Sequence, residues 1–190
     1  MKKRKTAVAI SGGVDSAIAA LLLLRAGHEV LGVHMRLGDF EGSGAAAGDA
    51  RAVCRALDIE FVEEDMSDEF AREVVSPFAD EYLEGRTPNP CVECNRRIKF
   101  GTFIERARAL GADTAATGHY AAKEKRGGEW LLLRGSDTNR DQSYFLYTLS
   151  QEILDTVEFP IGNYTKEGIK QIAAGAGLPA AHRPESREIC

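Results

Sequence analysis

A six-residue segment of small and polar residues, residues 11–16, gives the strongest chemical signal in the chain. It reads Ser-Gly-Gly-Val-Asp-Ser and lies between a short apolar stretch and an apolar helical pattern. Two glycines let the backbone approach a ligand closely, and the N-terminus of the following helix attracts negative charge. The segment therefore predicts an anion cradle. It lacks the lysine of a Walker loop and the spacing of a dinucleotide motif; the alternative is a glycine-rich connector before a capped helix.

Four cysteines, Cys54, Cys91, Cys94 and Cys190, form the second group of reactive residues. In a reducing compartment, thiols serve as metal ligands, nucleophiles or buried side chains more often than as a disulfide framework. Cys54 falls on the apolar face of a predicted helix, so we expect it in the core. Cys91 and Cys94 form a C-x-x-C pair. With Cys190, they are the candidates for chemistry.

The 190 residues are 44% hydrophobic and 28% charged, with a net charge of −5. This composition excludes a disordered or collagen-like chain, and the longest apolar stretch is too short to span a membrane. We expect a cytoplasmic protein with no membrane partner. The charge is uneven: residues 39–84 hold 14 acidic and 3 basic residues, and the rest of the chain holds 15 acidic and 21 basic residues. The net charge therefore does not exclude a nucleic-acid partner.

Hydrophobic periodicity predicts strands over residues 5–10, 29–35, 59–63, 113–120 and 130–134, and helices over residues 17–26, 49–57, 68–83, 95–110, 142–154 and 166–176. Residues 37–48, rich in Gly and Ala, predict a mobile loop, and two prolines predict an irregular segment over residues 87–91. The alternation predicts an α/β fold: a doubly wound, mostly parallel five-stranded sheet with helices on both faces. Such sheets bind ligands beyond the carboxyl ends of their strands, where the cradle, Met35, Gly118 and His119 would lie.

The cradle sequence SGGVDS resembles the pyrophosphate-binding loop (PP-loop) of enzymes that cleave ATP to AMP and pyrophosphate. Five further segments resemble, in order and spacing, the bacterial tRNA-specific 2-thiouridylase family (MnmA/TrmU): TPNPCVECNRRIKF, ATGHYA, DQSYFLYTLS, FPIG and ESREIC. The resemblance covers essentially the whole chain. It implies an adenine nucleotide alpha hydrolase-like fold. It also implies an enzyme that adenylates the C2 oxygen of the wobble uridine of tRNA and replaces this oxygen with sulfur.

The resemblance assigns roles by motif position. Catalytic residues would be Cys94, the nucleophile, and Cys190, the persulfide carrier. ATP, with Mg²⁺, would be bound by Ala9, Ile10, Ser11, Gly12, Gly13, Val14, Asp15, Ser16, Met35 and Gly118. The tRNA would contact Asn89, Pro90, Cys91, His119, Arg140, Asp141 and Gln142. A sulfur donor protein, either a cysteine desulfurase or a sulfur relay protein, would be the second partner.

Two mechanisms of sulfur delivery stay open. A persulfide on one cysteine can supply nucleophilic sulfur, and a second cysteine can then cleave the S–S bond by thiol–disulfide exchange. Many family members have Asp at the position of Cys91, so Cys91, Cys94 and Cys190 could here hold a [4Fe–4S] cluster with one open iron site. A structural zinc ion is disfavoured because closed zinc sites need four ligands. The remaining alternative treats Cys91 and Cys94 as inert thiols.

The motifs divide the chain into a PP-loop catalytic domain, residues 1–150, and a helical extension, residues 151–190, that carries the second catalytic cysteine. The family continues into β-rich tRNA-binding domains, so we expect this sequence to be the N-terminal part of a longer protein. Two other functions stay open. One is a PP-loop sulfurtransferase that uses a [4Fe–4S] cluster on a small molecule. The other is a non-catalytic binding module whose cysteines hold metal.

Overall fold

A five-stranded parallel sheet forms the centre of the protein, and the computed structural model describes residues 4–38 and 43–182. The strands of the chain are β1 (Lys5–Ala9), β2 (Glu29–Arg36), β3 (Glu60–Asp65), β4 (Thr114–Ala116), β5 (Ala121–Arg126), β6 (Glu129–Arg134) and β7 (Val157–Glu158). The order in the central sheet is β3-β2-β1-β4-β7, with every neighbouring pair parallel. The central strands β1 and β4 are almost fully buried because helices cover both faces.

The helices connect these strands in the order expected for parallel crossovers. They are α1 (Val14–Arg25), α2 (Ser43–Ala56), α3 (Ser67–Phe70), α4 (Ser76–Leu83), α5 (Pro90–Glu93), α6 (Phe103–Ala109), α7 (Gln151–Thr156) and α8 (Lys166–Gly175). Two π-helical segments, Ala71–Val75 and Cys94–Thr102, join α3 to α4 and α5 to α6. Short 3₁₀ turns cover Ser143–Phe145 and Pro179–His182.

Two hydrophobic cores lie on opposite faces of the sheet. Val8 of β1 belongs to the core covered by α1, α2 and α8. Its neighbour Ala7 belongs to the core covered by α3, the two π-helical segments, α6 and α7. The predicted doubly wound α/β fold is therefore confirmed. Within residues 4–38 and 43–182, we find no helix that is both long and apolar enough to cross a membrane.

The fifth strand of the sheet is not the predicted one. Residues 130–134 were expected there, but they lie in β6, which pairs with β5 in a separate antiparallel hairpin. Gly127 and Gly128 both have positive φ, 61° and 93°, as a tight two-residue hairpin turn requires. This turn returns the chain onto β5 and keeps β6 away from the sheet. The place beside β4 is taken by β7, which has only two residues and too little pattern to be predicted.

Three local predictions are also corrected. Residues 37–48 were predicted as a loop, but α2 begins at Ser43, since a run of alanines favours a helix even among glycines. The helix predicted over residues 142–154 is replaced by a 3₁₀ turn and the short α7, which Ser150 caps through its Oγ. The segment at residues 87–91 is irregular only as far as Asn89. Pro90 begins α5, because proline is tolerated in the first turn of a helix.

Candidate active site

The cradle, residues 11–16, is a tight turn between β1 and α1. Gly12 has a φ of 82°, which favours glycine, and Gly13 is the N-cap of α1 in an extended conformation. The Ser16 Oγ donates a hydrogen bond to the Gly13 carbonyl at 3.1 Å, and it accepts one from the Ser11 N–H at 3.2 Å. Among the described residues, no side chain caps α1 at its N-cap Gly13, so neither Ser nor Asp makes the cap bond that the connector alternative predicts. The turn presents the N-terminus of α1, as an anion site requires.

Gly118, two residues beyond the end of β4, lies against this turn. A Cβ atom built on Gly118 would be 2.8 Å from the Ser16 nitrogen and 2.9 Å from the Asp15 carbonyl carbon. Only glycine therefore allows the two segments to pack in this way. Because the carboxyl ends of parallel strands meet at one edge of the sheet, the segments after β1 and β4 form one site.

The remaining residues predicted for ATP lie on β1 and β2 near the same edge. Ala9 and Ile10 are buried, and the Ile10 N–H donates to the Val33 carbonyl at 2.8 Å. Ala9 and Ile10 would therefore contact a ligand through their backbone atoms near the cradle. Met35 is half-buried near the end of β2, where it pairs in register with Glu64 of β3.

Asp15 is held by two residues that the sequence analysis did not identify. The Lys166 Nζ lies 2.8 Å from both Asp15 carboxylate oxygens, and the Tyr120 hydroxyl donates to Asp15 Oδ1 at 2.7 Å. Burial, followed by the hydrogen bond to Asp15, raises the pKa of Tyr120. Lys166 is 151 residues from Asp15, and no spacing rule links residues so far apart. One signal was available: lysine is unfavourable in the first turn of a helix, so its presence there indicates another role.

The predicted RNA-contacting segment is tied to the same tyrosine. The Gln142 Oε1 accepts from the Tyr120 N–H, and the Gln142 N–H donates to the Tyr120 carbonyl, both at 2.9 Å. Asp141 accepts hydrogen bonds from the Gly135 N–H and from the N–H and hydroxyl of Ser143. Burial alone would raise the pKa of Asp141, but these donors keep it below its usual value. Arg140 is half-buried at the start of this segment.

His119 is 8% exposed and packs between two aromatic rings. Its ring centroid lies 5.7 Å from that of Phe100 and 6.4 Å from that of Phe159. Its Nδ1 is 2.7 Å from the Thr117 Oγ1. Burial, together with the nearby Lys99 charge, places the pKa of His119 well below its usual value, so the ring is neutral near pH 7. Its predicted contact with RNA stays a prediction.

We expect the stability of the protein to fall as the pH drops below about 6.5, because the unfolded chain then binds a proton that folded His119 excludes. The slope is at most about 1.4 kcal/mol per pH unit, and the contribution is constant above that pH. Urea unfolding of wild type and His119→Gln between pH 5 and 7 measures it. His119→Gln should flatten the profile. A wild-type profile that is already flat in this range would contradict the neutral assignment.

The C-x-x-C pair lies where α5 becomes π-helical. The Asn89 Oδ1 accepts from the Cys91 N–H at 3.1 Å and so caps α5, whose first residue is Pro90. Cys91 is half-buried, whereas Cys94 is 4% exposed at the start of the π-helical segment. Asn95, 2% exposed, has a buried Oδ1 that accepts no hydrogen bond from any of the described residues. A π-helical stretch with an unsatisfied polar atom beside a thiol is typical of a functional site.

The thiol-bearing segment reaches the edge of the sheet that holds the cradle. Phe100, in the same π-helical segment as Cys94, packs on His119, and the neighbouring Gly118 touches the cradle. Cys190 lies outside the described residues, so the predicted meeting of the two catalytic thiols stays a prediction. Within the described parts of the chain, no three His, Cys, Asp or Glu side chains come together as a metal site. Cys54 is buried in the core as predicted, and burial raises its pKa to about 11.

The strand order and the cradle define a class: a doubly wound α/β protein with an adenine nucleotide alpha hydrolase-like fold. A family model described as the tRNA methyl transferase HUP domain matches residues 4–190, and the chain belongs to this family. The tRNA-specific 2-thiouridylase MnmA of Geobacter metallireducens is 47% identical over 203 residues, which cover 99% of this chain and 55% of that protein. The MnmA protein of Moorella thermoacetica is 50% identical over 195 residues, covering 96% and 55%.

These relatives confirm the resemblance predicted from the motifs. The chain spans about 55% of the length of either relative. Among solved structures, the U34-tRNA thiolase NcsA from Methanococcus maripaludis with its [4Fe–4S] cluster matches with a TM-score of 0.62 and 17% identity, covering 98% of this chain and 61% of that one. A 4-thiouridine synthetase–RNA complex with bound ATP matches with a TM-score of 0.63 and 18% identity, covering 95% and 43%. At such identities the likeness shows the fold.

Proposed function

We propose that the chain is the ATP-using and sulfur-transferring part of a tRNA 2-thiouridylase, which converts the wobble uridine to 2-thiouridine. The observation that carries this proposal is the packing of Gly118 against the cradle. The π-helical segment that begins at Cys94 reaches the same edge of the sheet through the contact between Phe100 and His119. The family relationship and the full coverage of the chain by MnmA relatives support it. We propose that this enzyme and its tRNA substrate are cytoplasmic.

The first step is adenylation of the uridine. The C2 oxygen attacks the α-phosphorus of ATP, the bond to the bridging oxygen breaks, and pyrophosphate leaves with the electron pair while the uridine N3 proton passes to solvent. The cradle would bind the departing pyrophosphate through the N-terminus of α1. Met35 and the backbone of Ala9 and Ile10 would lie beside the adenosine. The step turns a poor leaving group, the C2 oxygen, into AMP.

Mg²⁺ would enter with the phosphates of ATP. Asp15 is the one carboxylate within residues 11–16, but both of its oxygens already accept from the Lys166 ammonium. This arrangement does not fit a metal held directly by Asp15. Mg²⁺ binds readily through phosphate oxygens and water, so the protein need not supply a dedicated cage.

The second step delivers sulfur. The terminal sulfur of a persulfide on Cys190 would attack C2, and AMP would leave with the electron pair of its bond to carbon. The Cys94 thiolate would then attack the Cys190 sulfur, release the thiouridine sulfur, and form a Cys94–Cys190 disulfide. A dithiol reductant must reopen this disulfide, and the sulfur donor protein must supply the next persulfide.

A [4Fe–4S] cluster is the second way in which sulfur could be carried. The described residues supply two of the three thiols that would hold it, Cys91 and Cys94, one helical turn apart. Such a cluster would offer an open iron site for exchangeable sulfide. Iron and sulfide analysis of anaerobically purified wild type and Cys91→Ser separates the two mechanisms. Iron that is lost together with activity in Cys91→Ser favours the cluster, and an iron-free active variant favours the persulfide.

Two segments would bind the tRNA. Asn89, Pro90 and Cys91 would lie beside the target base, which must leave its stack to expose C2. His119, Arg140, Asp141 and Gln142 would form the second segment, whose fixed geometry is supported by the hydrogen bonds of Asp141 and Gln142. The proposed division into a catalytic domain at residues 1–150 and an extension at residues 151–190 leaves further tRNA contacts to β-rich domains of the full-length protein.

The proposal is tested with the full-length protein, unmodified tRNA, ATP and a persulfide donor. Nucleoside analysis should show 2-thiouridine at the wobble position, formed together with AMP and pyrophosphate and only when tRNA is present. Thiolation of a small molecule with no product on tRNA would support the alternative of a small-molecule sulfurtransferase. Absence of any nucleotide cleavage with tRNA and donor present would support a binding module.

A further inference from the structure

A carboxylate beside an anion site weakens anion binding by electrostatic repulsion. Asp15 is the second residue of α1 and belongs to the cradle. Its negative charge would repel the polyphosphate that the N-terminus of α1 attracts. The repulsion is strongest where water is excluded, and the surroundings of Asp15 are partly buried. The cradle can accept an anion well only if this charge is cancelled.

Lys166 is built into a position where it can cancel that charge. Its ammonium contacts both Asp15 oxygens at 2.8 Å, and its side chain is 6% exposed. Lys166 is the first residue of α8, and its backbone N–H donates to the Asp137 Oδ2 at 2.9 Å. One turn further along, Ile169 is fully buried in the core that α8 shares with α1. The helix therefore fixes the ammonium beside the cradle.

We propose that Lys166 is a positioning residue of the nucleotide site, which neutralises Asp15 and thereby lets the cradle accept the diphosphate portion of a nucleotide. The identity of the ligand rests on the proposed function. Without the ammonium, the cradle would hold an uncompensated carboxylate, and its affinity for pyrophosphate would fall. Affinity for AMP, which lacks the phosphates that the cradle would hold, would change little.

Binding of inorganic pyrophosphate and of AMP to the full-length protein, measured by calorimetry, tests this proposal. Lys166→Gln should weaken pyrophosphate binding at least about tenfold and AMP binding less than about twofold. Lys170→Gln, which removes the same charge one turn along α8 at an exposed position, should bind both ligands as wild type does. The double variant Asp15→Asn/Lys166→Gln removes both charges and should recover most of the pyrophosphate affinity.

The double variant separates charge compensation from a purely structural role. Recovery of pyrophosphate binding supports the proposal, whereas no recovery in a folded double variant overturns it. Unchanged pyrophosphate affinity in Lys166→Gln also overturns it. If Lys166→Gln does not fold, the pyrophosphate affinity of the double variant tests the proposal instead, because this variant removes both charges of the Asp15–Lys166 pair. Affinity near that of wild type supports the proposal, and loss of affinity overturns it. A wild-type protein that binds neither ATP nor pyrophosphate overturns the proposed function as well.

Discussion

Cys94→Ala will lower the rate of 2-thiouridine formation by the full-length protein at least about a thousandfold. The same substitution will leave ATP binding intact. In the proposed mechanism this thiol releases sulfur onto the base, and alanine offers no nucleophile. Cys94 follows α5 and takes no part in the cradle turn, so nucleotide binding should survive. Nucleoside analysis measures the thiolated product, and calorimetry with ATP measures binding.

Cys54→Ala is the matched control for this loss. Cys54 is a fully buried core thiol packed against the sheet, where its Sγ lies within contact distance of Gly32. Its truncation should cost about 1 kcal/mol of stability and leave thiolation near the wild-type rate below the melting temperature. Thiolation by Cys94→Ala within tenfold of the wild-type rate would show that sulfur does not pass through Cys94.

Gly118→Ala will weaken ATP binding by roughly ten- to a hundredfold. The added Cβ would lie 2.8 Å from the Ser16 nitrogen and 3.2 Å from the Asp15 Cβ, and the first of these atoms is backbone. Backbone cannot rotate away as a flexible side chain can, so the cradle must shift. A cost of about 1–3 kcal/mol is typical of such overpacking. Calorimetric titration with ATP measures the effect.

Gly48→Ala is the matched control for this substitution. Gly48 lies in α2, and a Cβ built on it meets no atom of residues 4–38 or 43–182 within 4 Å. Alanine should stabilise this helix by about 0.5–1 kcal/mol and leave ATP affinity unchanged. Equal ATP affinities for Gly118→Ala and Gly48→Ala would show that the contact between Gly118 and the cradle does not shape the nucleotide site.

The cradle and the parallel sheet could be predicted because their signals are local. A strand, two glycines and a helix follow one another within residues 5–25, and each short-range preference agrees with the final fold. The fifth strand could not be predicted, because β7 has two residues and exists only through its pairing with β4. Residues 130–134 do form a strand, but the Gly127–Gly128 turn decides which strand they pair with.

The chemistry of the site could be predicted only in part. The motifs identified the cradle, the C-x-x-C pair and the segment after residue 139, since each is contiguous in sequence. The Asp15 contacts with Tyr120 and Lys166 join residues 105 and 151 positions apart, so only the folded chain reveals them. The burial of His119 between Phe100 and Phe159 is likewise a property of three separate segments.

The fate of the C2 oxygen gives the most direct test of adenylation at this site. The full-length protein is incubated in ordinary water with ATP, a persulfide donor and tRNA that carries oxygen-18 at C2 of the wobble uridine. Attack of that oxygen on the α-phosphorus predicts one oxygen-18 atom in the AMP phosphate for each 2-thiouridine formed. Thiolated tRNA accompanied by unlabelled AMP, with the oxygen-18 released into water, would contradict an adenylated intermediate.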